Sequence, residues 1–205
     1  MNKKINISII GTRGYPYVYS GYETFVKQLS ERLVLKNCNV TVYCHKGLFE
    51  IRPKEIKGIK LVYVPTIETK ILSQPIHSFL SIIHACFLNT DVLLVVNSAN
   101  GPFGLLTKLF RIPTAINVDG FEWLRPKWKG LGSIYFKWAS KMATLFYDQI
   151  INDSEEMRKV YLNLFKRDSK VIAYGADIRK SKNPDLINKW NLKQREYYLV
   201  IGRLI

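Results

Sequence analysis

The sequence predicts an α/β protein built on a mostly parallel, Rossmann-like sheet with helices on both faces. Three observations carry this. Short β-branched runs alternate with longer stretches of helical spacing, the alternation that makes βαβ units. The run Val92–Val96 is almost purely apolar, as a parallel strand buried on both faces must be. Polar residues and glycines collect just after the strands, which are themselves mostly apolar.

Taken in order, Ile5–Ile10 reads as the first strand. Tyr22–Lys36 follows as a helix, with Phe25, Val26, Leu29 and Leu33 at helical spacing. Val40–Cys44 and Ile59–Val64 are strands, Ser73–Leu88 a helix and Val92–Val96 the central strand. Phe103–Phe110 is helical, Thr114–Val118 a strand and Leu131–Tyr147 a long helix. Gln149–Ile151, Ser154–Phe165 and Val171–Ala173 complete the alternation as strand, helix and strand. These elements place one domain over residues 1–177. Residues 178–196 are polar and basic, contain Pro184, and read as a linker with a short helix. Tyr197–Ile201 reads as a fresh strand, so residues 197–205 are expected to open a second α/β domain or to add an edge strand to the first.

The composition bounds the partners. Lys and Arg number 31 against 16 Asp and Glu, a net charge of +15. Such a charge suits nucleic acid, anionic lipid or phosphorylated ligands and does not choose among them. No helix-turn-helix, RNP-like or zinc signature supports nucleic acid. Cys38, Cys44 and Cys86 have neither metal spacing nor an even count, so they read as reduced residues of a cytoplasmic protein, and no metal is expected. The N-terminus has no signal peptide, and the apolar window Ile71–Leu88 is too short and too polar to span a membrane.

In open α/β sheets ligands bind beyond the carboxyl ends of the strands, which turns the strand order into a list of candidate loops. The loop Gly11–Gly21 is long, carries glycines and leads into a helix N-terminus able to hold an anion. Gly21 would let a phosphate approach the backbone and Arg13 could add charge, unless the glycines only make turns. Ser20 and Glu23 fit a capping box. Neither a dinucleotide fingerprint nor a P-loop occurs, which argues against nicotinamide chemistry and ATP hydrolysis. Asp119 follows a buried strand, where it could orient or deprotonate a hydroxyl, or simply shape a turn. Asp153 and Glu156 read as another helix cap. From Trp123 to Lys141 aromatic and cationic residues interleave, which suits a lipid headgroup interface, a sugar-phosphate ligand, stacked bases or an ordinary solvated helix face.

The order of these motifs resembles that of bacterial family 4 glycosyltransferases, in particular the rhamnosyltransferase-like branch. The resemblance is carried by Gly11-Thr12-Arg13-Gly14-Tyr15-Pro16 and Ser20-Gly21-Tyr22-Glu23, then Asp119-Gly120-Phe121-Glu122-Trp123 with Arg125. Asn152-Asp153-Ser154, Tyr174-Gly175-Ala176-Asp177 and Val200-Ile201-Gly202-Arg203 extend it nearly to the end of the chain.

The resemblance implies the N-terminal half of a GT-B fold and a retaining transferase that needs no metal or cofactor. It would move rhamnose or another hexose from a nucleotide diphosphate sugar to a growing, lipid-linked cell-surface polysaccharide. It implies that Asp119 lies beside the reacting sugar, and that Arg13, Ser20, Gly21 and Arg203 hold the donor phosphates. Tyr15, Glu122, Trp123 and Arg125 fall on the acceptor side. The departure is Ser20-Gly21 where such enzymes often carry two glycines. Because the chain stops soon after Arg203, these 205 residues alone are expected to transfer little. The protein is expected at the inner face of the plasma membrane, in peripheral contact with anionic lipid and not with nucleic acid. The alternative is a non-catalytic fragment that binds acceptor or anionic membrane.

Overall fold

The computed structural model describes residues 3–17, 20–67, 69, 72–178 and 180–200. Those up to Tyr174 form one compact unit, and those from Gly175 a second, much smaller one.

The first unit is an eight-stranded sheet flanked by helices. Its strands are β1 (Asn6–Ile10), β2 (Asn39–His45), β3 (Glu55–Ile56), β4 (Ile59–Val64), β5 (Val92–Val96), β6 (Thr114–Val118), β7 (Gln149–Asn152) and β8 (Lys170–Val171). They lie in the order β3-β4-β2-β1-β5-β6-β7-β8. Every pair is parallel except β3 with β4. The short β3 was not legible in the sequence. It is one arm of a tight hairpin whose two central residues, Lys57 (φ 51°) and Gly58 (φ 77°), both adopt left-handed backbone. That is the conformation a two-residue hairpin requires, but Lys-Gly is a weak signal for it.

The helices are α1 (Gly21–Leu35), α2 (Ser73–Cys86), α3 (Gly104–Leu109), α4 (Leu131–Phe146) and α5 (Glu155–Phe165). Right-handed crossovers place α1, which runs back from β1 to β2, on one face, and α2 to α5 on the other. Alternation along the strands agrees. Val26 of α1 packs with Ile9, Val42, Leu94 and Val96. Ile82 of α2, Phe136 and Ala143 of α4 and Met157 of α5 pack with Ile10, Leu93, Val95 and Ile116. Both faces are covered, as expected, but unevenly.

The element ends follow local chemistry. The Ser20–Glu23 capping box starts α1, and Asn37 (φ 63°) follows its end in the left-handed region. Ser154 accepts the Met157 N–H at 3.4 Å to start α5, and Lys166 (φ 55°) ends it. The expected helix Phe103–Phe110 is the shorter α3, and a 3-10 segment, Ser98–Phe103, leads into it. Gly101 lies so close to α4 that a Cβ there would stand 1.9 Å from the Ala139 carbonyl oxygen.

The last strand differs from expectation. It comprises Lys170–Val171 and not Val171–Ala173, because after the Ile172 N–H bonds the Asn152 carbonyl (2.8 Å) the chain leaves the ladder. In the second unit the only regular element among the described residues is a 3-10 helix, Pro184–Trp190. Tyr197–Val200, expected as a strand, is irregular, and among the described residues no strand pairs with it; Ile201 lies outside the described residues.

Candidate active site

The parallel strands bring the loops after β1, β5, β6, β7 and β8 to one edge of the sheet, where an open α/β fold places its ligands. At the end of β6, Ile116 and Val118 face the α2–α5 core while Ala115 packs on the α1 side. The alternation therefore carries Asn117 and then Asp119 toward α1. The first turn of α1 meets them there. The Tyr22 hydroxyl donates a hydrogen bond to Asp119 Oδ1. Tyr174, which follows β8, donates to Asn117 Oδ1 at 2.9 Å and sets its ring edge-on against Phe25 of α1, centroids 5.2 Å apart.

Electrostatics single out this carboxylate. Half-burial raises the Asp119 pKa above the usual aspartate value. The Tyr22 hydrogen bond and the Arg125 guanidinium pull it back, while Asp153 and Glu122 push it further up. Burial, followed by the charge of Asp119, keeps the Tyr22 phenol well above its ordinary value. Burial and the same carboxylate raise Tyr174. Both phenols are therefore fixed hydrogen-bond donors at neutral pH.

The first loop has a different character. Gly11 (φ 106°) crosses the end of β5, and a Cβ on it would lie 2.3 Å from the Val96 carbonyl oxygen. Gly21 has an ordinary helical backbone, and a Cβ there would meet nothing within 4 Å. Packing therefore explains Gly11 and leaves Gly21, exposed at the helix N-terminus, without a structural reason. Glu23 is buried and accepts the backbone N–H of Arg13 (3.2 Å) and of Ser20 (2.9 Å), together with the Ser20 hydroxyl. The Arg13 guanidinium stands 3.9 Å from the same carboxylate.

Residues 4–177 match the family described as Domain of unknown function (DUF1972). The chain belongs to the DUF1972 family. No curated protein sequence is similar to it at a significant level. Among solved structures, a sucrose-phosphate synthase from Thermosynechococcus elongatus is similar over 84% of this chain and 90% of its own, with TM-score 0.55 and 15% identity. UGT89C1 of Arabidopsis thaliana, in complex with UDP-L-rhamnose, is similar over 93% of this chain and 55% of its own, with TM-score 0.51 and 14% identity. At these identities the likeness is one of fold, and it agrees with the expected half of a GT-B architecture.

The expected acceptor residues of this DUF1972 chain are spread apart. Arg125 is exposed, 3.1 Å from Glu122 Oε1, and its guanidinium lies over Gly120, where a Cβ would come within 2.9 Å of it. Glu122 is buried, with its other oxygen accepting the Trp128 indole N–H at 2.9 Å. The Trp123 ring is buried against Phe121, Tyr161 and Phe165. Tyr15 is buried too, its hydroxyl donating to Glu31 at 2.7 Å. So of these four only Arg125 presents its side chain to solvent beside Asp119. Arg203, expected on the donor phosphates, lies outside the described residues.

Two residues that the sequence did not mark as part of the site, Tyr22 and Tyr174, surround Asp119 instead. The available signal was Asn117, a polar residue inside an apolar strand and so one that needs a partner. Among the described residues no three His, Cys, Asp or Glu side chains gather as metal ligands would. His45 and His77 stack 3.9 Å apart in the interior, and burial with the neighbouring ring pushes His77 down to about 3. The cysteines are free thiols, and burial raises Cys44 to about 11.

Proposed function

We propose that this DUF1972 protein is a glycosyltransferase that uses a nucleotide diphosphate sugar. The observation that carries the reading is the meeting, at the ligand-binding edge of a glycosyltransferase-like sheet, of a half-buried carboxylate with a raised pKa and an open helix N-terminus. Gly21 and the N–H groups of the first turn of α1 face the donor diphosphate, with Arg13 beside them. Asp119 accepts a hydrogen bond from a sugar hydroxyl and fixes the ring. In the transfer, an acceptor hydroxyl oxygen bonds to the anomeric carbon as the bond from that carbon to the diphosphate breaks. The acceptor proton passes to the departing diphosphate, so configuration is retained and the main catalytic contribution is stabilisation of the leaving charge. The motif resemblance favours rhamnose or a related hexose as the donor sugar, and a cell-surface polysaccharide as the acceptor.

An exposed stripe on α4 supports a place at the inner membrane face. Leu131 (85% exposed), Ile134 (66%) and Trp138 (48%) stand beside Lys137 and Lys141. Such a mixed surface suits anionic headgroups, and no helix among the described residues is long and apolar enough to cross a bilayer. Sedimentation with phosphatidylglycerol vesicles, but not phosphatidylcholine vesicles, is expected, and Trp138→Ala with Lys141→Glu should abolish it.

The functional test is nucleoside diphosphate release by the full-length protein with a panel of nucleotide sugars. One sugar should turn over, and Asp119→Asn should lower that rate by a factor on the order of 10², the loss that follows when a reacting group is no longer held in place. Wild-type turnover in both Asp119→Asn and Arg203→Ala would show that the site is elsewhere.

A further inference from the structure

Gly21 and Tyr22 are consecutive, yet they face the two halves of the proposed reaction. Gly21 and Tyr22 contribute the opening amides of α1, the end proposed to hold the donor diphosphate. Of the first-turn amides, the capping box occupies that of Glu23. The Tyr22 side chain runs the other way, and its hydroxyl ends on Asp119 Oδ1. One residue thus spans from the phosphate-facing helix end to the carboxylate just after β6.

We propose that Tyr22 is a positioning residue that couples the donor-phosphate end of α1 to Asp119, by holding one carboxylate oxygen so that the other is presented to a sugar hydroxyl. The inference rests on the glycosyltransferase reading of the site.

The geometry explains why a tyrosine serves here. Its phenol stays protonated, so toward an ionised carboxylate, which can only accept, it donates, and a donor is what fixes that carboxylate. The second tyrosine is shared: Tyr174 bonds Asn117 and packs on Phe25, bracing the same corner from the β8 side, and its phenol also faces Asp119. The other charged groups around Asp119 are Arg125 and Glu122 from the loop after β6 and Asp153 from the loop after β7. Of these only Arg125 opposes the upward push on Asp119 together with Tyr22. Removing the Tyr22 hydroxyl therefore leaves a carboxylate that is both less fixed and harder to ionise.

The test is a double-mutant cycle of Tyr22→Phe and Asp119→Asn in the full-length protein, with kcat, donor KM and the pH profile of kcat/KM measured for each variant. Phenylalanine keeps the ring, and thermal unfolding of each variant checks that the fold survives. Tyr22→Phe is expected to lower kcat by about tenfold to a hundredfold, the value of a hydrogen bond to a charged group, with donor KM within about twofold. The acid limb should move to higher pH by about one unit, because the charged form of Asp119 loses a donor. In the Asp119→Asn background, Tyr22→Phe should change kcat by less than about twofold. Equal losses in both backgrounds, or an unmoved acid limb, would overturn the assignment of Tyr22. Wild-type turnover in Asp119→Asn overturns instead the functional reading beneath it. A carbon-13 NMR titration of the Asp119 carboxyl, expected to shift upward in Tyr22→Phe, tests the coupling without any substrate, and no shift would also sink it.

Discussion

Two carboxylates, Glu23 and Asp119, lie at the same edge of the same sheet and come to opposite ends. Glu23 accepts two backbone N–H groups and a serine hydroxyl, so its hydrogen-bonding capacity is spent on closing the loop over the start of α1. Among the described residues no backbone N–H donates to Asp119. It receives the Tyr22 phenol, and burial raises its pKa. The difference teaches how to separate a structural acid from a chemical one. A structural acid is surrounded by donors that the fold itself must satisfy, whereas a chemical acid is partly desolvated and left under-coordinated for an incoming group.

The largest expected effects test that contrast directly. Asp119→Asn should remove most turnover, as stated above, while leaving the fold intact. Glu23→Gln should do the reverse. Losing the charge that two N–H groups and a hydroxyl converge on should cost about 1–3 kcal/mol in chemical denaturation. The kcat of the molecules that remain folded should change by less than about twofold. A Glu23→Gln protein of full stability and low kcat would merge the two roles and break the comparison.

The glycines of the first loop sharpen it at the next scale. Gly11→Ala forces a side chain into positive φ and against the Val96 carbonyl, so it should destabilise by about 2–3 kcal/mol. Gly21→Ala meets open space and a helical backbone, so stability should hold or rise by up to about 1 kcal/mol. Donor KM should rise severalfold in the same variant, since the methyl group stands where phosphate would approach. Thermal melts paired with donor titrations separate the two glycines.

Much of this was legible in the sequence, and the rest was hidden for identifiable reasons. The apolar run Val92–Val96 and the Ser20–Glu23 box announced β5 and the start of α1, because short-range patterning and capping are local properties. Asp119 could be placed at the edge because it directly follows a buried strand. The partner Tyr22 could not, because 97 positions separate it from Asp119 and only the packing of α1 on the sheet joins them. Nor does a motif distinguish an aromatic residue at the site from one in the core. Trp123 and Tyr15 stand inside the quoted motifs, and both rings went to the interior. Arg125, two residues from Trp123, stayed outside because Glu122 and Gly120 gave its guanidinium a place beside the backbone.

The smallest expected effect concerns the sign of a slope. Asp119 has a folded-state pKa above its unfolded value, so the folded state holds its proton more tightly. Its contribution is neutral when the group is protonated in both states and becomes a cost as pH rises through the raised value. Asp119→Asn should therefore melt together with the wild type near pH 3 and above it at pH 7. Asp168 gives the opposite case. Its carboxylate receives Arg158 at 2.7 and 3.1 Å and is held down to about 2, so its stabilisation is present above the ordinary aspartate value and disappears as pH falls through about 2. Asp168→Asn should melt slightly below the wild type at pH 7, and the gap should close in acid. Opposite slopes from two aspartates of one chain would tie the raised pKa of Asp119 to its desolvated place beside Tyr22. A gap that does not change with pH would mean that Asp119 is as well solvated as the surface, and parallel slopes that donors hold it down as they hold Asp168; either would remove the basis of the contrast with Glu23.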